Sequence, residues 1–152
     1  MNTRFGASVV CLMGLVSGIG ATGCVGINGG AVELAWSVRT VDALPADCEM
    51  QNIATISLCI QSCDEDAGTG ETCTGATMCP FDTFACTRLR GATDFDVAPG
   101  KKRLWITVAC GDGSPADVVV PEAVLRDVTR GDVTELNALL ISVPSDKLAC
   151  GS

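Results

Sequence analysis

The chain has 152 residues, one domain's worth, with 10 Lys and Arg against 18 Asp and Glu, a formal net charge of −8, and neither histidine nor tyrosine. So acidic a surface repels phosphate backbones, whose binding rests on Lys and Arg, and speaks against a nucleic-acid partner. The missing histidine removes Ser–His and Cys–His nucleophilic catalysis, the commonest general base and the commonest zinc ligand.

The N-terminus reads as an export signal. Arg4 is the only charged residue before Glu33, and an apolar run from Phe5 to Val16 follows it. A positive start, an apolar stretch and then small residues (Ala21-Thr22-Gly23) is the order of a secretory leader. The small residues stand directly before Cys24, and this end of the chain resembles the lipobox of bacterial lipoproteins, although that family prefers Leu where Ala21 stands. The resemblance implies cleavage after Gly23, acylation of Cys24 and attachment to a membrane through that lipid. Val25, rather than Asp, after the cysteine implies outer-membrane sorting if the cell has two membranes. Ordinary secretory cleavage and an uncleaved anchor remain as alternatives. In each of the three the domain ends up outside. The run Gly18-Ile-Gly-Ala-Thr-Gly23 also matches GxGxxG, with Asp42 about twenty residues on. A dinucleotide fingerprint must open a helix, and Cys24-Val-Gly-Ile-Asn-Gly-Gly30 cannot propagate one, so no cofactor is expected.

After a short tether over 24–30 the apolar period becomes two. Val32, Leu34, Trp36 and Val38 alternate with polar or small residues and predict a half-buried strand. Ala54, Ile56, Leu58 and Ile60 predict a second, and Leu104, Ile106, Val108 and Cys110 a third. Val118–Val120, ended by Pro121, predicts a short edge strand. Ala123–Val128 and Val133–Val143 predict two more, with Arg130-Gly131-Asp132 as the turn between them. The acidic, cysteine-rich stretch from Gln61 to Pro80 reads as a long loop that needs ties. Short strands, turn signals and no strongly amphipathic helix predict an all-β, antiparallel β-sandwich over 31–152, stapled by disulfides and preceded by a signal helix in 1–23. The corner Val97-Ala-Pro-Gly100 feeding Leu104-Trp-Ile-Thr-Val, within Thr93–Ala109, is similar to one found in prealbumin-like and immunoglobulin-like domains of bacterial surface proteins. Such domains commonly place Tyr soon after the Gly; here Lys101-Lys102-Arg103 intervenes and Trp105 follows. The resemblance implies a sandwich and no single function.

Cleavage after Gly23 removes Cys11 and leaves an odd number of cysteines. If Cys24 carries lipid, the rest can pair: Cys48, Cys59, Cys63, Cys73, Cys79, Cys86, Cys110 and Cys150. An oxidising compartment suits that count. No CxxC occurs, which counts against zinc knuckles and thioredoxin-type redox chemistry. The connectivities number on the order of a hundred; the working expectation is that Cys59, Cys63, Cys73 and Cys79 pair among themselves while the other four staple more distant strands.

Asp64-x-Asp66-x-Gly68-x-Gly70, with Glu71, begins like an EF-hand calcium loop, but the closing bidentate Glu would fall at Gly75, so a solvated acidic loop is the expected reading. Asp94 and Asp96 would share a side if they lay on a strand, and Lys101-Lys102-Arg103 reads as a charged turn. Trp36 and Trp105 fall within strand patterns and would either fill the core or offer a stacking platform for sugars. The leading expectation is a non-catalytic, lipid-anchored module of the cell envelope with a protein or glycan partner. The alternatives are a small exported hydrolase using carboxylates, and a calcium- or carbohydrate-binding module.

Overall fold

The structure is a computed structural model that describes residues 27–64 and 73–151. The chain forms eight strands, the longer inner ones by alternation of apolar and polar side chains: β1 (Ala31–Thr40), β2 (Ile53–Ser62), β3 (Thr77–Ala85), β4 (Arg90–Ala92), β5 (Gly100–Cys110), β6 (Val124–Val128), β7 (Val133–Glu135) and β8 (Leu139–Val143). A 3-10 turn at Cys86–Arg88 joins β3 to β4. One sheet has the order β3-β2-β5-β6 and is antiparallel throughout. The other is built on β1, with β4 antiparallel on one edge and β7 and β8 both parallel on the other.

The inner positions of both sheets make one core. Val32, Leu34, Trp36 and Val38 of β1 and Ile141 and Val143 of β8 face Ile56, Leu58 and Ile60 of β2 and Leu104, Ile106 and Val108 of β5. Each such side chain, fully buried, contributes about 1.5–3 kcal/mol. The protein is therefore an all-β sandwich of one antiparallel sheet and one mixed sheet. Among the described residues no helix is long and apolar enough to cross a membrane.

Three predicted elements need correction. Val133–Val143 is not one strand: Glu33 opposes Glu135 while Trp36 opposes Leu139, so this edge holds one residue more than β1 between those pairs. The extra residue flips the side-chain parity, as in a bulge. Leu136 turns inward, 6 % exposed, and its N–H donates to the Glu33 carbonyl at 2.8 Å. The second correction concerns the long loop after β2. Its last part is the start of β3, an edge strand whose outward burial pattern carries no clean alternation. Its edge position lets it hold Pro80, which has no N–H to give a ladder, and the β2–β3 register shifts between Leu58 and Ile60 beside it. Val118–Val120 is reduced to a bridge between Val119 and Ser142 of β8.

All eight cysteines among the described residues are paired. Cys59–Cys79 ties β2 to β3, and Cys63–Cys73 closes the segment between them. Cys48–Cys86 joins the β1–β2 connection to the 3-10 turn, and Cys110–Cys150 ties the end of β5 to the C-terminal segment. The local group thus pairs within itself, and the two bridges with sequence separations of 38 and 40 staple distant parts of the chain.

Candidate functional site

Several residues singled out by the sequence fall apart in space. Cys24, Asp66 and Glu71 lie outside the described residues. Asp64 is exposed and accepts a hydrogen bond from the Thr74 hydroxyl at 3.4 Å. Among the described residues no cluster of three or more His, Cys, Asp or Glu side chains could hold a metal. Asp94 and Asp96 are not on a strand: they sit exposed in the turn after β4, pinned by buried Thr93 and Val97. The Thr93 hydroxyl accepts from Val32 N–H and donates to the Asp94 carbonyl, and Val97 bridges Gly30. Arg130-Gly131-Asp132 is a turn that carries the chain from one sheet to the other, with Gly131 at φ 79°.

Lys101-Lys102-Arg103 belongs to β5 rather than to a turn, because Gly100 already pairs with Val128. Strand alternation then sends Lys102 inward while Lys101 and Arg103 face out. Lys102 is 5 % exposed, its Nζ donates to Ser62 Oγ at 3.0 Å, and Arg126 is its cross-strand neighbour. Burial pushes this ammonium below the ordinary lysine range, since low-dielectric surroundings disfavour charge. A depressed lysine destabilises the fold while it is charged. As pH rises past its folded value toward about 10.4, the unfolded chain binds more protons than the native one, and stability climbs. Lys102→Met is therefore expected to raise the melting temperature by about 3 °C at pH 7. That gain should shrink by pH 10.5, which melts at the two pH values would check.

Two concavities can be compared. The larger, about 1120 Å³, lies at the end of the sandwich around the Cys110–Cys150 bridge. Several of its polar groups already satisfy one another. The hydroxyl and then the backbone N–H of Ser114 donate to Asp112 Oδ1, at 2.7 and 2.9 Å, and hold that carboxyl below the usual range. Lys147 pairs with Asp117, whose hydrogen bond and charge raise the lysine. All of these groups are open to solvent, so the depression has little left with which to grip a ligand.

The smaller concavity, about 400 Å³, is built differently. On the outer face of the β3-β2-β5-β6 sheet, Thr77, Gln61 and Arg103 form one row across β3, β2 and β5. Trp105 lies in the next row, opposite Cys59, which is bonded to Cys79. After β5 the chain pairs Val119 with Ser142 in the other sheet and then returns, so that Val120, Pro121 and Ala123 wall the groove beside Trp105. Trp105 is half-buried there. Gln61 Nε2 donates to the carbonyls of Cys73 (2.8 Å) and Gly75 (3.4 Å). Those two acceptors fix which end of the amide is nitrogen, and the Cys63–Cys73 bridge holds one of them in place. Gln61 Oε1, the Thr77 hydroxyl, the Arg103 guanidinium and the Trp105 indole N–H have no partner among the described residues.

No protein-family model, curated protein or solved structure gives a significant match to this chain.

The two tryptophans thus take opposite roles. Trp36 fills the core, 4 % exposed, with its Nε1–H donated to the Cys86 carbonyl at 2.8 Å and its ring 6.2 Å from that of Phe84. Trp105 faces out. Gln61 was not singled out by the sequence as a site residue. The signal was present in the β2 alternation, where Thr55, Ser57, Cys59 and Gln61 share the face opposite the apolar positions.

Proposed function

We propose that this chain is an exported, lipid-anchored protein of the cell envelope that acts as a non-catalytic binding module. In this reading Cys24 is the acylated first residue, residues 24–30 are the tether, and the sandwich presents the outer face of its β3-β2-β5-β6 sheet to a ligand. The observation that carries it is the pairing of all eight cysteines from Cys48 to Cys150 with one another. No described cysteine is left over for Cys24, which stands where a lipobox would be cut. Four disulfides fit an oxidising, extracytoplasmic compartment. The carboxylates also support a binding role over hydrolysis. No described Asp or Glu is buried, whereas a carboxyl serving as general acid needs a desolvated setting to stay protonated near neutral pH.

The test is the intact mass of protein purified from its own membranes, with palmitate labelling of a Cys24→Ser variant. The expected result is a chain beginning at Cys24 that carries a diacylglycerol and an acyl group, with label absent from the variant and the variant lost from the membrane fraction. Equal labelling of the variant, or a mature chain without lipid, would overturn the anchor.

A further inference from the structure

We propose that the groove over Trp105 is a glycan-binding site that takes a neutral sugar ring, stacked on the indole and held by Arg103, Gln61 and Thr77. This rests on the reading of the chain as a binding module and names its ligand class. The sugar is selected by the polar groups that surround the ring. A hydroxyl both donates and accepts, and the groove offers both kinds of partner: donors on Arg103 and the Trp105 indole, an acceptor in Gln61 Oε1, and the Thr77 hydroxyl, which is either. An apolar ligand would leave all of them buried and unpaired. A phosphate or carboxylate wants donors alone and would meet the Gln61 carbonyl oxygen. The chain's formal charge of −8 adds repulsion against any polyanion.

The remaining features fit a ring-shaped ligand. The indole face is electron-rich, and the C–H bonds on one side of a pyranose present weak positive charge to it. The groove's volume of about 400 Å³ suits a short stretch of sugar rings and is within the usual range for small-ligand clefts. The site is also preorganised. The Gln61 amide is fixed by two carbonyls, and the row carrying Trp105 is stapled by Cys59–Cys79, so little ordering is left to be done on binding. Beyond Trp105 the same face continues as a hydroxyl row of Thr83, Ser57 and Thr107, with Ser57 Oγ and Thr83 Oγ1 at 2.9 Å, along which a longer chain of sugars would lie.

The experiment titrates the intact protein in detergent with the neutral hexasaccharides of cellulose, chitin, xylan and mannan, and with hexagalacturonate as the acidic probe. Calorimetry and tryptophan emission are the readouts. The expected result is saturable binding of at least one neutral hexasaccharide with a blue shift in emission. Trp105→Ala and Gln61→Leu should each weaken it by roughly tenfold or more, and in Trp105→Ala the melting temperature should stay close to that of the parent. No binding by any neutral hexasaccharide, unchanged affinity in Trp105→Ala, or tighter binding of hexagalacturonate would overturn the site. Running the titration on Cys24→Ser as well separates the two readings. An unlipidated protein that still binds removes only the anchor, and a lipidated protein that fails to bind removes only the glycan site.

Discussion

A double variant in which Cys48 and Cys86 are both alanine is expected to lose about 4 kcal/mol of stability and to melt about 15 °C lower than the parent. The bridge spans 38 residues, and closing a loop of that length removes much of the freedom of the unfolded chain. Both cysteines are also core residues, 2 % and 0 % exposed, so their replacement empties space as well. The bridge fixes the 3-10 turn, and with it the Cys86 carbonyl that receives the Trp36 indole. By contrast Cys63–Cys73 closes only 10 residues, and the corresponding double variant is expected to lose about 2.5 kcal/mol. Thermal melts of the two variants under identical conditions provide the check. A Cys48/Cys86 variant that melts no lower than the Cys63/Cys73 variant would mean that loop closure and core packing do not govern these bridges. A domain of this class has about 5–15 kcal/mol in all, so the first loss is a large fraction of the total.

The strands that were legible in the sequence are those buried on one face only. In β1, β2 and β5 most inner residues are Val, Leu, Ile or Trp and most outer ones polar or small, Lys102 and Trp105 of β5 being the exceptions, so the period of two survives in the bare sequence. β3 is an edge strand that exposes most of its length, and selection for burial has left no pattern to read. β4 is three residues long and contains Gly91, whose missing side chain makes room for the Phe84 ring; that contact is invisible until the two sheets are assembled. The parity flip between β7 and β8 defeats any pattern search, because the residues that share a face change from even to odd across Leu136. The same logic governs the candidate site. Trp105 was visible as an aromatic in a strand, but its direction depends on which of the β5 faces meets the other sheet. The groove itself comes from a crossing segment, Val118–Pro121, whose return path is a tertiary fact. Lys102 is the converse case: a basic cluster next to Pro-Gly looks like a turn, and only the pairing of Gly100 with Val128 extends β5 far enough to bury its middle member.

Trp36→Ala is expected to destabilise the fold by about 4 kcal/mol, the usual loss when a large aromatic leaves a packed core. Trp36→Phe keeps most of the apolar volume but removes the N–H that satisfies the Cys86 carbonyl, and is expected to lose about 2 kcal/mol. Trp105→Ala takes a ring of the same type from the outer face, where water and not protein refills the space, and is expected to change stability by under about 1 kcal/mol. Urea denaturation of the three variants measures all of this on one scale. Equal losses for Trp36→Ala and Trp105→Ala would mean that Trp105 is a structural residue and that its outward face is not spare for a ligand. The expected inequality matters to function for the same physical reason that it matters to stability. An aromatic ring left partly in water by a fold that can bury another one almost completely is area still available for a partner to cover, and the sandwich spends one tryptophan on each task.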